Sequence, residues 1–123
     1  MSAKLALLPV DASDWRLRHK TGDRAFYDDA RRAAGCFEVV FVRPDGRVTE
    51  GSFTNVFVER DGRLLTPPLA DGLLPGVLRA ALIAEGRAVE APLTTEDLSG
   101  GFLIGNSLRG LLRARLQDSP ANP

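Results

Sequence analysis

Scarcity narrows what this sequence can do. Its 123 residues include one cysteine, one histidine, one methionine, one tryptophan and one tyrosine. A lone Cys36 excludes an intrachain disulfide and a cysteine-rich zinc site. Next to Gly35 and ahead of an apolar strand, it reads as a buried, inert thiol. A lone His19 excludes a multi-histidine metal site, so no bound metal is expected. No apolar run approaches the roughly 20 residues of a membrane span, and the N-terminus carries no signal-peptide core. A cytoplasmic protein without a membrane partner is the expectation. Charge of one sign is also missing: sixteen Lys and Arg balance sixteen Asp and Glu. The chain therefore has no global field to attract nucleic acid. Arg109, Arg113 and Arg115 cluster late and read as a solvated strand face.

What is present suits one domain with a modest core, expected over 1–116, with 117–123 as a flexible tail. Lys4 to Val10 reads as a strand ended by Pro9 and the following Asp/Ser cluster. From Gly22 the spacing turns helical, with Phe26, Ala30 and Ala33 on one face and Gly35 placed as a cap. Phe37 to Val42 is a strand, and Pro44-Asp45-Gly46 turns it into a second strand opening at Val48. Val56, Phe57 and Val58, then Asp61-Gly62, then Leu64-Leu65 form a hairpin with the favoured Asp-Gly turn. A helix is predicted from near Pro75 to Gly86, with Val77, Leu78, Ala81 and Leu82 on one face. Ala88 to Leu93 should be a strand, and Thr94 to Leu98 a capped helical turn. Phe102 to Ile104 should be a buried strand ending at Gly105-Asn106-Ser107, and Leu111 to Leu116 a returning one. A mixed sheet with two main helices gives an α+β fold.

Four places carry candidate chemistry. Lys20 has Arg18 and His19 as cationic neighbours, which disfavour its own charge and leave a more nucleophilic amine. Glu50 sits on a strand between Val48 and the small residues Gly51 and Ser52. The run Gly72 to Arg79 enters a helix, whose N-terminus has free N–H groups and positive potential able to hold a phosphate. Asn106 and Ser107 end a buried strand, where short polar groups often meet ligands. An acid on one side of a pocket and an anion cradle on the other suit a ligand with one basic and one phosphorylated end. Singly, each also reads as ordinary surface or loop.

Taken in order, the blocks resemble one family. They are Leu17-Arg18-His19-Lys20-Thr21, Thr49-Glu50-Gly51-Ser52-Phe53-Thr54-Asn55, Thr66-Pro67-Pro68, Gly72 to Arg79, and Asn106-Ser107-Leu108-Arg109-Gly110. This order resembles the class IV pyridoxal-phosphate enzymes: branched-chain aminotransferases, D-amino acid aminotransferases and 4-amino-4-deoxychorismate lyases. The LRHKT, LLPGVLR and NSLRG segments make the lyase the nearest of these, especially the form fused behind the aminodeoxychorismate synthase component.

The resemblance implies a barrel-like large domain of the D-amino acid aminotransferase-like fold and pyridoxal 5'-phosphate as cofactor. It implies that Lys20 binds the cofactor aldehyde and then moves a proton, and that Glu50 faces the pyridine nitrogen. Val77 and Leu78 would hold the phosphate with backbone N–H groups, and Leu74 would pack on the ring. Asn106 would contact the cofactor, Ser107 and Leu108 the substrate, and Arg24 the cofactor's phenolic oxygen. The implied substrate is a small amino compound. One departure stands out: in the family the lysine follows a small N-terminal domain, whereas Lys20 lies near the start of this sequence. The resemblance therefore covers the large domain alone, lacking the small one. Three readings follow: a lyase releasing pyruvate to give 4-aminobenzoate, a transaminase on the same scaffold, or a non-catalytic relative that folds, dimerises or binds the cofactor weakly. A homodimer is implied, with a separate small domain or aminodeoxychorismate synthase as a further partner.

Overall fold

Valines and a phenylalanine in the run Asn55–Val58 are buried without interruption, which requires cover on both faces of the strand. The fold supplies it. In the computed structural model, which describes residues 2–7 and 37–116, eight strands and one α-helix lie among the described residues. They are β1 (Ser2–Leu7), β2 (Glu38–Val42), β3 (Val48–Gly51), β4 (Asn55–Arg60), β5 (Arg63–Thr66), α1 (Val77–Ala84), β6 (Ala88–Glu90), β7 (Phe102–Asn106) and β8 (Gly110–Leu116). The sheet order is β3-β2-β1-β8-β7-β4-β5-β6, and an added β3–β4 pairing closes the first six strands into a barrel. Strands β5 and β6 extend from it as a parallel pair, with α1 between them in sequence.

Alternation along β4 sorts its side chains between two cores. Val56 and Val58 join Val40, Val48, Leu93, Leu98, Phe102 and Ile104 in one cluster. Phe57 points the other way, to Leu64, Leu82 and Ala88, with Leu78 and Ile83 packed alongside. The first cluster draws on strands around the barrel, and the second seats α1 on the sheet.

Local signals are realised where they are strongest. Asp61 and Gly62 both have positive φ, 55° and 77°, as the tight turn between β4 and β5 requires. Thr94 and Asp97 form the reciprocal capping box of a 3-10 turn at Thr95–Leu98. Helix α1 ends at Ala84, and Gly86 adopts φ 75° just past the cap.

Other expectations need correction. The helix predicted from near Pro75 starts at Val77, with Gly76 as its N-cap and Pro75 just before it. The buried residues of α1 are Arg79 and Leu82, while Val77 and Ala81 are exposed. The inward turn of Arg79 rotates the face, because its guanidinium is bonded beneath the helix. Strand β6 stops at Glu90: Ala91 still donates to Thr66 O at 2.9 Å, but Pro92 has no N–H to continue the ladder. Leu93 O then accepts from Val48 N at 2.8 Å, tying this segment to β3. Strand β1 begins at Ser2, where it pairs in parallel with β8. The predicted helix from Gly22, His19, Cys36 and the tail 117–123 lie outside the described residues.

Candidate active site

One end of the barrel gathers the polar groups. Strand β3 ends in Glu50-Gly51, four residues from Gly51 to Thr54 turn the chain, and β4 starts at Asn55. Glu50 and Asn55 face each other as the register pair between these strands. Both are buried, at 2% and 5% exposure. Each holds one side of the same residue on the incoming loop. Leu74 N donates to Glu50 Oε1 at 3.1 Å, and Asn55 Nδ2 donates to Leu74 O at 3.1 Å. Leu74 O also accepts from Gly76 N at 2.9 Å. A carboxylate buried this deeply is tolerable because such N–H donors meet its charge.

The fixed Leu74 delivers the chain to the start of α1. Gly76 is the N-cap at φ −63° and ψ 152°, with no side-chain cap. The first intrahelical bond runs from Ala80 N to Gly76 O at 3.0 Å. Val77, Leu78 and Arg79 N–H therefore have no acceptor within the helix, and they sit at the positive end of its dipole. Nor can a larger residue replace Gly76 without disturbance, since a Cβ there would overlap Asn55 Oδ1. The result is a glycine-lined, uncapped helix start tied through Leu74 to a buried acid. That donor set fits a phosphorylated heteroaromatic ligand: N–H groups for the phosphate and a carboxylate for a protonated ring nitrogen.

The loop from Thr66 to Gly76 is anchored outside the site as well. Arg79 Nη2 donates to Pro67 O at 3.0 Å and to Glu90 Oε2. Its guanidinium holds the Glu90 carboxyl below the usual range, aided by the Leu69 N–H and opposed by desolvation. Asp71, 3% exposed, accepts from Arg43 at 2.9 Å and Arg47 at 3.1 Å.

Asn106 comes to the same end of the barrel through β7, whose Gly105 pairs with Asn55. Its Nδ2 donates to Phe53 O at 3.0 Å, and its Oδ1 accepts from Leu108 N at 3.1 Å and Arg109 N at 2.8 Å. Asn106 thus joins the β3–β4 loop to the β7–β8 turn. Ser107 and Leu108 are exposed on that turn, Leu108 at 87%. Arg109 lies 5.8 Å and 5.7 Å from the ring centroids of Phe37 and Phe53.

Of the residues singled out from sequence, Glu50, Leu74, Val77, Leu78 and Asn106 converge here, and Ser107 and Leu108 flank them. Leu78 helps to seat the helix, one of its methyl carbons lying where a Cβ on Gly105 would meet it at 3.0 Å. Lys20 and Arg24 lie outside the described residues. Sequence reasoning missed the roles of Asn55, Gly76 and Glu38. Glu38 is fully buried, and its signal was an acid inside the otherwise apolar run FEVVFV.

Comparison with known proteins agrees with this architecture. The family model for amino-transferase class IV matches residues 2–116. A search of curated proteins gives no match. Among solved structures, a candidate amino-acid aminotransferase from Mesorhizobium loti is 44% identical with a TM-score of 0.86, over 94% of this chain and 59% of that one. A hypothetical aminotransferase from Mycobacterium tuberculosis in its PLP-bound form is 29% identical with a TM-score of 0.80, over 98% and 50%. A candidate 4-amino-4-deoxychorismate lyase from Legionella pneumophila is 25% identical with a TM-score of 0.79, over 98% and 52%. The chain thus spans between half and three fifths of these relatives. Among the described residues no helix is long and apolar enough to cross a membrane.

Proposed function

Because the chain belongs to the class IV amino-transferase family, we propose that it binds pyridoxal 5'-phosphate and acts on the amino group of a small substrate. The observation that carries this reading is the grip on Leu74 by buried Glu50 and Asn55, which ties an acid to an uncapped helix start. Glu50 would hold a proton on the pyridine nitrogen, and Val77 and Leu78 N–H would hold the phosphate. When bound, the cofactor supplies an electron sink that labilises bonds at the substrate α-carbon. Lys20 is the proposed covalent anchor and the base that takes and returns the α-proton. Leu74 is proposed to face the ring, Arg24 its phenolic oxygen, Asn106 the cofactor, and Ser107 and Leu108 the substrate carboxylate.

The proposed reaction is elimination of pyruvate from 4-amino-4-deoxychorismate to give 4-aminobenzoate, a folate precursor, in the cytoplasm. The NSLRG and LLPGVLR segments and the likeness to the Legionella protein support it. Transamination is the second reading, favoured by the 44% identity to the Mesorhizobium protein. Val77 and Leu108, 67% and 87% exposed beside the site, support a cover from a second copy of the chain or a separate small domain. Purified protein with the cofactor should release pyruvate and 4-aminobenzoate from aminodeoxychorismate. Keto-acid formation from amino-acid donors without pyruvate release would select transamination, and neither product would reject both.

A further inference from the structure

A second acid lies behind the first, and the chemistry proposed above gives it no task. Glu38, at the start of β2, has no exposed surface. Its Oε1 accepts from Val39 N and Ser52 N, each at 2.8 Å, and from Ser52 Oγ. Its Oε2 accepts from Thr54 Oγ1 at 2.8 Å and Phe53 N at 3.3 Å. Four of those five donors belong to the loop between Glu50 and Asn55. That loop is also closed by Gly51 N donating to Thr54 O at 2.8 Å. A Cβ on Gly51 would overlap both Glu38 Oε2 and Thr54 Oγ1, so the glycine admits the carboxylate.

We infer that Glu38 is a positioning residue for the cofactor site: its carboxylate folds the 51–54 loop and so sets the spacing of Glu50 and Asn55. Those two residues are the register pair between β3 and β4, and they hold the N–H and C=O of Leu74. The order of dependence runs from Glu38 to the loop, to the Glu50–Asn55 pair, to Leu74, and to the N–H groups of Val77 and Leu78. A neutral amide cannot replace the carboxylate. Glutamine offers one acceptor oxygen, and its NH2 group would face donors on the other side. With the oxygen kept toward Ser52, the Thr54 hydroxyl can rotate to accept, but Phe53 N–H cannot. The inference rests on the cofactor reading only for its last link.

Amide exchange by NMR on the full chain without cofactor tests the earlier links. In Glu38→Gln, Phe53, whose N–H loses its acceptor, should exchange about tenfold faster or more, and Leu74 should accelerate by about tenfold with it. Val58 and Leu65, paired across the β4–β5 hairpin, should stay within about twofold. Faster exchange at the loop with Leu74 unchanged would overturn the inference, as would uniform acceleration at all sites. Thr54→Val removes one donor and leaves the charge; it should accelerate Leu74 in the same direction by a smaller factor, and an unchanged Leu74 would again overturn it. Titration with pyridoxal 5'-phosphate should show a dissociation constant about tenfold weaker in Glu38→Gln. Absence of binding by the unsubstituted chain would count against the proposed function, while the exchange result would still decide the role of Glu38.

Discussion

Replacing Gly76 by alanine separates steric fit at the helix start from backbone strain. Gly76 has φ −63° and ψ 152°, which alanine adopts readily, so no conformational penalty attaches to the change. The cost comes from the new methyl, which meets Asn55 Oδ1 and forces that side chain aside. Asn55 Nδ2 then loses Leu74 O at 3.1 Å, a half-buried hydrogen bond whose loss costs roughly 1 kcal/mol, with about 1–3 kcal/mol more if a partner stays buried and unpaired. Gly76→Ala should therefore destabilise by about 2 kcal/mol, and Asn55→Ala by a similar amount. The double variant should cost about 2 kcal/mol rather than the sum, because truncating Asn55 makes room for the methyl. Urea denaturation of all four proteins measures this cycle directly. The same variants should weaken pyridoxal phosphate, since Leu74 no longer fixes the helix start. Strictly additive costs would refute the contact between Asn55 and Gly76 as the basis of the site.

Further outcomes follow from the same structure. Glu50→Gln keeps an acceptor for Leu74 N but loses the charge; turnover should fall by about a hundredfold or more. Gly62→Ala, at φ 77° in the β4–β5 turn, should cost about 1–2 kcal/mol in denaturation and leave cofactor affinity unchanged, because the turn is at the opposite end of β4 from Asn55. Glu90 has its folded pKa lowered, chiefly by the Arg79 hydrogen bond, so its stabilisation is present above the unfolded value and lost as pH falls through the folded one. Melting curves across the acid range should show the gap between the unsubstituted chain and Glu90→Gln closing as pH drops. The gap should be small, since the Glu90 side chain is 45% exposed and its pairing is screened.

How much of this was readable in the sequence depended on how local each cause is. Asp61-Gly62 and the Thr94–Asp97 capping box involve partners within three residues, and both appear as written in the chain. Glu50, Leu74 and the helix start near Gly76 were legible as candidates, but not Asn55, which holds the other side of Leu74. Asn55 meets Leu74 nineteen residues away, a contact that only the closed barrel creates. Glu38 was read as one letter of an apolar strand because four of its five donors lie 14 to 16 residues downstream. The helix face was misjudged for a chemical reason: arginine usually stays at the surface, yet Arg79 turns inward because Pro67 O and Glu90 both accept from its Nη2. Barrel closure itself, through β3–β4 and β1–β8, has no short-range signature.

The Glu50–Leu74–Gly76 assembly is proposed to serve a pyridoxal phosphate bound to Lys20. The most direct test is the absorbance spectrum of the purified chain with the cofactor, before and after borohydride, followed by peptide mapping and compared with Lys20→Ala. A visible band that borohydride discharges, leaving a stable adduct on Lys20 and absent from the variant, is the predicted result. No band at saturating cofactor, or an adduct spread over several lysines, would contradict it.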